Sequence, residues 1–308
     1  MVEVRRVVRA RLGGTASEWL SKLSEFISFV RMHTPAKAGI AILAVLVGIA
    51  VFAPYIAPYN PNVRVAEPML PPSREHLLGT NDMGQDIFSE LIYGARISLF
   101  IGFIAALIGT MLGTTIGIVA GYKGGIVDEV LMRLTDMWLS MPTLLFTIFL
   151  VAVFSRLPRG TIMMAVIMAI ALTSWPSVAR LIRSSVLRIK EEPYIEAAIA
   201  VGVPHTRIMF RHILPNVTPL IVIEVITRTA IAMLTESSLA FLGLGDPTAK
   251  SWGMIIYYAM RRNALYLGLW WWFIPPGLMI SIAVLSVMLI GLGLEEYFNP
   301  RLRRGPKI

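Results

Sequence analysis

The sequence contains no cysteine, which excludes disulfide frameworks and thiolate metal centres. Histidine is scarce, with residues at 33, 76, 205 and 212 only, and their spacing matches no metal-ligand pattern. Charge is scarce too. Asp, Glu, Lys and Arg make up 15% of the 308 residues, where a soluble domain carries about 25%. Nowhere does Gly-Lys-Ser/Thr occur, so the chain has no Walker-type phosphate loop. What is abundant is apolar: hydrophobic residues make up 56% and the mean hydropathy is +0.69. One compact core of this size would not hide so much apolar surface, so lipid is expected to be the solvent for much of the chain.

A hydrocarbon core about 30 Å thick takes about 20 mostly apolar residues per helix. Six stretches qualify: Ala38–Ala57, Ile97–Gly121, Met137–Phe154, Thr161–Ala179, Val217–Leu242 and Leu269–Leu292. The runs are too long for barrel strands, and open backbone is not tolerated in lipid. The expected fold class is therefore an all-α polytopic membrane protein with six transmembrane helices. Pro142 is placed to break or kink the third span, and Trp175-Pro176 the fourth. The first span begins too deep in the chain to read as a signal peptide and is expected to be retained.

The basic residues orient these spans. With the N-terminus inside, segments 1–37, 122–136, 180–216 and 293–308 carry 19 Lys/Arg, while 58–96, 155–160 and 243–268 carry 8. Both termini are thus expected in the cytoplasm. The formal charge of +9 divides as +8 inside, +2 outside and −1 within the spans. It is a topology signal and gives no support to nucleic-acid binding. Trp270, Trp271 and Trp272 fall at the outer end of the last span, where aromatic rings favour the interface.

The chain divides into a cytoplasmic or interfacial segment (1–36), a first membrane helix with its external loop (37–96), a core (97–294) and a tail (295–308). Within residues 15–32, Trp19, Leu23, Phe26, Ile27 and Val30 share one helical face. That pattern suits a helix lying in the membrane interface, and equally one packed on its own bundle. In the external loop, Asp82 and Asp86 are placed to cap short helical turns, with cation binding as the alternative. Residues 86–93 read as a short amphipathic helix feeding the second span. In that span Gly109, Gly113, Gly117 and Gly121 recur every four residues, a smooth stripe for close approach of a neighbouring helix. The stripe does not say whether that neighbour is in this chain or in a partner subunit.

Loop 180–216 is the longest internal segment between spans. It reads as two short helices reversing at Gly202-Val203-Pro204. Pro193 suits a first helical turn, Glu196 favours the positive end of the helix dipole, and Ala197, Ala198 and Ala200 keep one face small. Pro215 and Pro219 mark re-entry to the membrane. Such a helix either docks in another protein's groove or caps its own bundle. Glu224 and Arg228, four residues apart in the fifth span, can pair on one helix face. They either line a pathway for polar solute or neutralise one another at an interface. Glu236 reads as structural, and Arg133 as paired locally with Glu129 and Asp136.

The run EAAIAVG (196–202) followed by HILPN (212–216) resembles the coupling-helix loop of ABC importer permeases. Glu196, Ala197, Ala198, Gly202, Leu214 and Pro215 stand at the matching spacing. The general pattern has an apolar residue where this chain has His212. HILPN there resembles the peptide-transport branch, in particular its second (C-type) permease. LGTNDMGQDIFSELIYGARISL (78–99), AGYKGGIVDEVLMRLTD (120–136), ESSLAFLGLG (236–245) with SWG (251–253), and NPRLR (299–303) resemble the same branch. The likeness covers residues 76–304 and leaves the N-terminal 35 residues outside it.

The resemblance implies a type I ABC importer permease fold and a non-enzymatic role in the cell membrane. It implies pairing with a second homologous permease subunit to enclose the pathway. Two cytoplasmic ATPase subunits, which bind the ATP and Mg, would dock on the coupling helices, and an extracellular solute-binding protein would deliver substrate. No cofactor is expected in this chain. Members of this branch carry peptides, and some carry oligosaccharides or nickel. A secondary transporter or channel is the competing class. It would be expected to show repeats or broken helices about a midplane ion site, and no convincing repeat is present. An intramembrane enzyme would need convergent His, Asp or Glu within the spans, and no His lies there.

Overall fold

The computed structural model describes residues 33–155 and 162–298. The 15–32 amphipathic pattern and the NPRLR run lie outside the described residues. Within them the chain is helical: α1 Thr34–Val51, α2 Ala53–Ile56, α3 Ile87–Lys123, α4 Gly125–Leu139, α5 Thr143–Phe154, α6 Ile162–Lys190, α7 Pro193–Ala200, α8 His205–Ile208, α9 Leu214–Phe241, α10 Trp252–Arg261 and α11 Trp270–Phe298. A five-residue π-helical segment, Met209–Ile213, joins α8 to α9, so 205–241 runs as one apolar rod.

Among the described residues five helices are long and apolar enough to cross a membrane, and α4 with α5 makes a sixth span only as a bent pair. The expected single span Met137–Phe154 is broken at Ser140–Pro142, where the two helices meet at 93°. Pro142 takes the N-cap position of α5, where its missing N–H costs nothing. The other suspected break does not occur. α6 runs through Pro176 without interruption. Proline at 176 leaves the Leu172 carbonyl without its i+4 donor, and the Trp138 indole N–H of α4 donates to that oxygen at 2.8 Å.

The separate helix expected at 86–93 is also absent, because it is the first two turns of α3. Nothing between 93 and 97 stops the helix, and Gly94 is there for packing: a Cβ on it would stand 2.9 Å from the Trp252 ring. Asp86 does cap it, its carboxylate accepting from Ser89 N at 2.8 Å. Asp82 caps nothing. It pairs with Arg262 at 2.7 Å, and the neighbouring Asn81 side chain accepts the Met83 and Gln85 amides instead.

The core is built in three stacked clusters. One joins α1, α3, α9, α10 and α11 around Trp252 and Trp272. A second sits between α3, α5, α6 and α9. The third gathers Tyr122, Ile182, Val186, Ile195, Ile208, Ile213 and Val217 at one end of the bundle. The tryptophan run does not behave as one belt. Trp270 is exposed, but Trp272 is 1% exposed and belongs to the core, because successive helical positions point about 100° apart.

Segments with the same expected sidedness are brought together. Loop 57–86 packs on the 249–268 region, with Lys250 Nζ donating to Glu90, to Gln85 at 2.5 Å and to the Pro61 carbonyl at 3.3 Å. At the opposite end α4 is tied to α6 by Arg183 on Asp128 and Arg180 on Asp136, and His33 meets Glu296 at 2.7 Å.

Candidate functional site

The end of the bundle opposite loop 57–86 carries the residues singled out by the sequence. α7 starts with Pro193 in its first turn, and the Glu192 carbonyl accepts from Ile195 N and Glu196 N at 2.9 and 3.2 Å. It ends in a Schellman closure: Gly202 N–H bonds the Ile199 carbonyl at 3.0 Å and Val203 N–H bonds Ala198 at 3.1 Å. Gly202 sits at φ +78°, which only glycine adopts without strain, and Pro204 follows. The closure brings half-buried Val203 beside half-buried Ala198 in the third cluster.

One fully buried residue, Ile195, anchors α7 to the bundle. Glu196, Ala197, Ile199, Ala200 and Gly202 are exposed, and Val201 is 79% exposed. The helix thus lies on the molecule by one edge and offers a small, mostly uncharged face outward. Leu214 and Pro215 are not on that face. They open α9, with Leu214 half-buried in the third cluster and Pro215 exposed. Buried Ile208 and Ile213 tie α8 and the π segment to the same cluster, so α7 and the start of α9 share a single apolar footing. Asn216 adds a polar tie, donating to the His212 carbonyl at 2.6 Å and to the Tyr194 hydroxyl at 3.2 Å.

The glycine stripe has its partner in this chain. A Cβ on Gly113, Gly117 or Gly121 would stand 2.5, 2.6 or 2.9 Å from Trp175 O, Ala179 O or Val186 Cβ, and one on Gly109 would collide with Ser174 Oγ. α3 and α6 are therefore in backbone contact along the half of α3 nearest α7. Arg183 closes the same region with a forked pair to both Asp128 oxygens at 2.5 Å.

Glu224 and Arg228 do pair, Nε to Oε2 at 3.0 Å, with side chains 12% and 20% exposed. Glu224 lines an open cleft of about 880 Å³ between α6, α9 and α11, together with Ser185, Arg188, Asn216 and Glu295. Glu236 lines none of the described cavities. It is 2% exposed and accepts from Ser237 Oγ at 3.4 Å, which agrees with a structural place. The expected local cluster at Arg133 is split: Glu129 binds it at 2.5 Å, but Asp136 reaches Arg180 on α6. Among the described residues no group of three acidic or histidine side chains is arranged to hold a metal.

Three features escaped the sequence reading. Trp138 on Leu172 and Asp128 on Arg183 join residues 34 and 55 apart, beyond any local periodicity. Tyr122 at the end of α3 meets His205 Nδ1 at 2.7 Å, across 83 residues. Their one sequence signal is a polar or amphipathic residue at the end of an apolar run.

Residues 113–304 match the family described as binding-protein-dependent transport system inner membrane component. Residues 23–72 match the N-terminal TM domain of oligopeptide transport permease C. The likeness thus reaches further toward the N-terminus than the 76–304 read from motifs. The chain is 36% identical to a dipeptide transport system permease protein of Bacillus subtilis, covering 87% of this chain and 82% of that one. It is 34% identical to an oligopeptide transport system permease protein of the same organism (89% and 88% covered) and 37% identical to a glutathione transport system permease protein of Pectobacterium atrosepticum (89% of each).

Proposed function

The chain belongs to the permease subunits of binding-protein-dependent ABC importers, in their dipeptide and oligopeptide branch, and from this we propose that it forms half of an oligopeptide translocation pathway. It is a multi-pass protein of the inner membrane. A second, homologous permease supplies the other half, two cytoplasmic ATPases bind and hydrolyse ATP with Mg, and an extracellular solute-binding protein delivers the peptide. This subunit performs no catalysis and holds no cofactor.

The observation that carries the reading is the geometry of α7. Its outward face is small and exposed, and its footing on Ile195 is continuous with the base of α9. A rigid push on Glu196–Gly202 is therefore delivered to the start of α9 through packed side chains, and the spans answer by rocking as bodies. Glu196, Ala197, Ala198 and Gly202 form the docking element, and Leu214 and Pro215 the start of the span on which it acts. Glu224 lines the open cleft with its charge neutralised by Arg228, and so offers an acceptor to a polar solute without leaving a bare charge at depth.

The test is transport by the assembled importer in vesicles without a membrane potential. Labelled peptide enters only with ATP and the ATPase subunits present; entry driven by an ion gradient alone would point to a secondary transporter. Gly202→Pro destroys the Schellman closure, since proline cannot adopt positive φ or donate to Ile199. Glu196→Lys reverses the charge on the docking face. Both variants insert and assemble, and uptake per ATP hydrolysed falls by at least an order of magnitude. Normal uptake by both overturns the coupling role.

A further inference from the structure

Two cavities at the α7 end of the bundle share Met209 in their walls. The first, of about 280 Å³, is lined by Tyr122, Lys123, Lys190, Ile199, His205 and Met209. No carboxylate lines it. The nearest acids on α4 are engaged elsewhere, Asp128 with Arg183, Glu129 with Arg133 and Asp136 with Arg180. Lys190 stands 5.8 Å over the Tyr122 ring, and the Tyr122 hydroxyl meets His205. Neither lysine forms an ion pair among the described residues. Two ammonium groups, a phenol and an imidazole thus surround an opening large enough for one phosphate-bearing group.

The second cavity, of about 410 Å³, lies on the other side of Met209 and runs along α3 and α9 toward the middle of the bundle. Met111, Thr115, Ile118, Phe210, Leu214 and Ile221 are among its lining. It is an apolar trough with two polar members: Thr115 Oγ1 bonds the Met111 carbonyl of its own helix, and the buried Thr114 Oγ1 has no partner among the described residues. A cationic mouth at a membrane boundary opening onto an apolar trough that runs parallel to the spans has the polarity of one molecule type. We infer that this composite cavity holds an anionic phospholipid, its phosphate between Lys123 and Lys190 and an acyl chain along the α3–α9 trough. The chemistry of the mouth would also take a free phosphate, but only a lipid uses both parts. The mouth includes Ile199 of α7, so the lipid touches the docking element itself, an assignment that goes beyond the import role and does not depend on it.

The test is native mass spectrometry of the full chain, in its assembled importer, released from nanodiscs of phosphatidylcholine with phosphatidylglycerol. The wild type retains phosphatidylglycerol in preference to phosphatidylcholine. The Lys123→Gln/Lys190→Gln variant loses that retention on the order of tenfold, since each cation near an anionic headgroup contributes a several-fold factor. Lys123→Arg/Lys190→Arg keeps it. Ile118→Trp, which fills the trough and leaves the mouth intact, loses it as well. Equal retention by the glutamine variant overturns the proposal. So does displacement of the lipid by inorganic phosphate at equal concentration, which would mark a site for a free anion. Efficient cross-linking of Thr115→Cys to the second permease overturns it too, because the trough would then be a subunit interface. The readout is lipid retention, so failure here and failure of peptide import are separately visible.

Discussion

At the residue scale the decisive positions are those where one atom more or less changes what the backbone can do. Gly113 is such a position: a methyl there would stand 2.5 Å from the Trp175 carbonyl, while at Gly48 it would meet nothing within 4 Å. Gly113→Ala therefore costs about 1–3 kcal/mol through forced separation of α3 and α6, and Gly48→Ala is neutral. The comparison is read as the melting temperature of the detergent-purified chain. A stripe that tolerates alanine as well as Gly48 does would refute the close contact. The four-residue glycine spacing was visible in the sequence, but its partner was not. Smoothness states that a backbone can approach, and only the fold decides that the approaching backbone is α6. The Gly202 turn was legible in full, because its hydrogen bonds span no more than five residues.

At the element scale, proline behaves in two opposite ways within one bundle. Pro142 ends a helix and turns the chain by 93°, whereas Pro176 sits inside an unbroken α6. The difference lies in a neighbour. Trp138 donates to the carbonyl that Pro176 leaves orphaned, so α4 repairs α6 while being held against it. Trp138→Phe leaves that part-buried carbonyl without a protein donor and costs about 1–2 kcal/mol. In a Pro176→Ala background the new backbone N–H supplies the missing donor, and the same Trp138→Phe change costs markedly less. A double-mutant cycle on unfolding midpoints measures the difference, and additive effects would refute the repair. This coupling explains why the third and fourth spans were the hardest to delimit from sequence. Both prolines look alike locally, and the residue that distinguishes them is 34 positions from the carbonyl it serves. The run Trp270–Trp272 failed for a related reason, since composition names the rings but only packing buries Trp272.

At the scale of the whole molecule, segments are sorted to two ends. Loop 57–86 and the 249–268 region are locked together by the buried Glu90, Asn81 and Gln85 about Lys250. The α4 helix, α7 and α8 gather at the other end. The Lys/Arg bias predicts that this second end faces the cytoplasm. Because the chain has no cysteine, single-cysteine variants report without background. Glu75→Cys in intact cells is labelled by a membrane-impermeant maleimide, and Ile126→Cys, on exposed α4, is labelled only after permeabilisation. The reverse pattern would invert the topology. The all-helical architecture and five of the six expected spans were legible because lipid enforces length and polarity on each span independently, while the sixth is a bent pair. The ties that hold each end together, Lys250 to Glu90 at one and Arg183 to Asp128 at the other, join residues 160 and 55 apart, which no single span encodes.

α3 gains a mechanical meaning from its length. Its 37 residues make a rod of about 55 Å, well beyond the hydrocarbon thickness of about 30 Å. One tip carries Tyr122, bonded to His205 beside the docking helix, and the other carries Glu90 and its Lys250 partner. The rod comes closest to a neighbouring backbone along Gly109–Gly121, near the Tyr122 tip, where Trp175 O and Ala179 O would stand 2.5 and 2.6 Å from an added Cβ. With a fulcrum at the middle of that stripe, the arms measure about 12 and about 42 Å. If α3 pivots there as a rigid rod, a displacement of about 1 Å at Lys123 would become one of about 3.5 Å at Ile87. In a rigid rocking of α3 the glycines would set the gearing: a small stroke beside α7 would be delivered as a larger one at the far end.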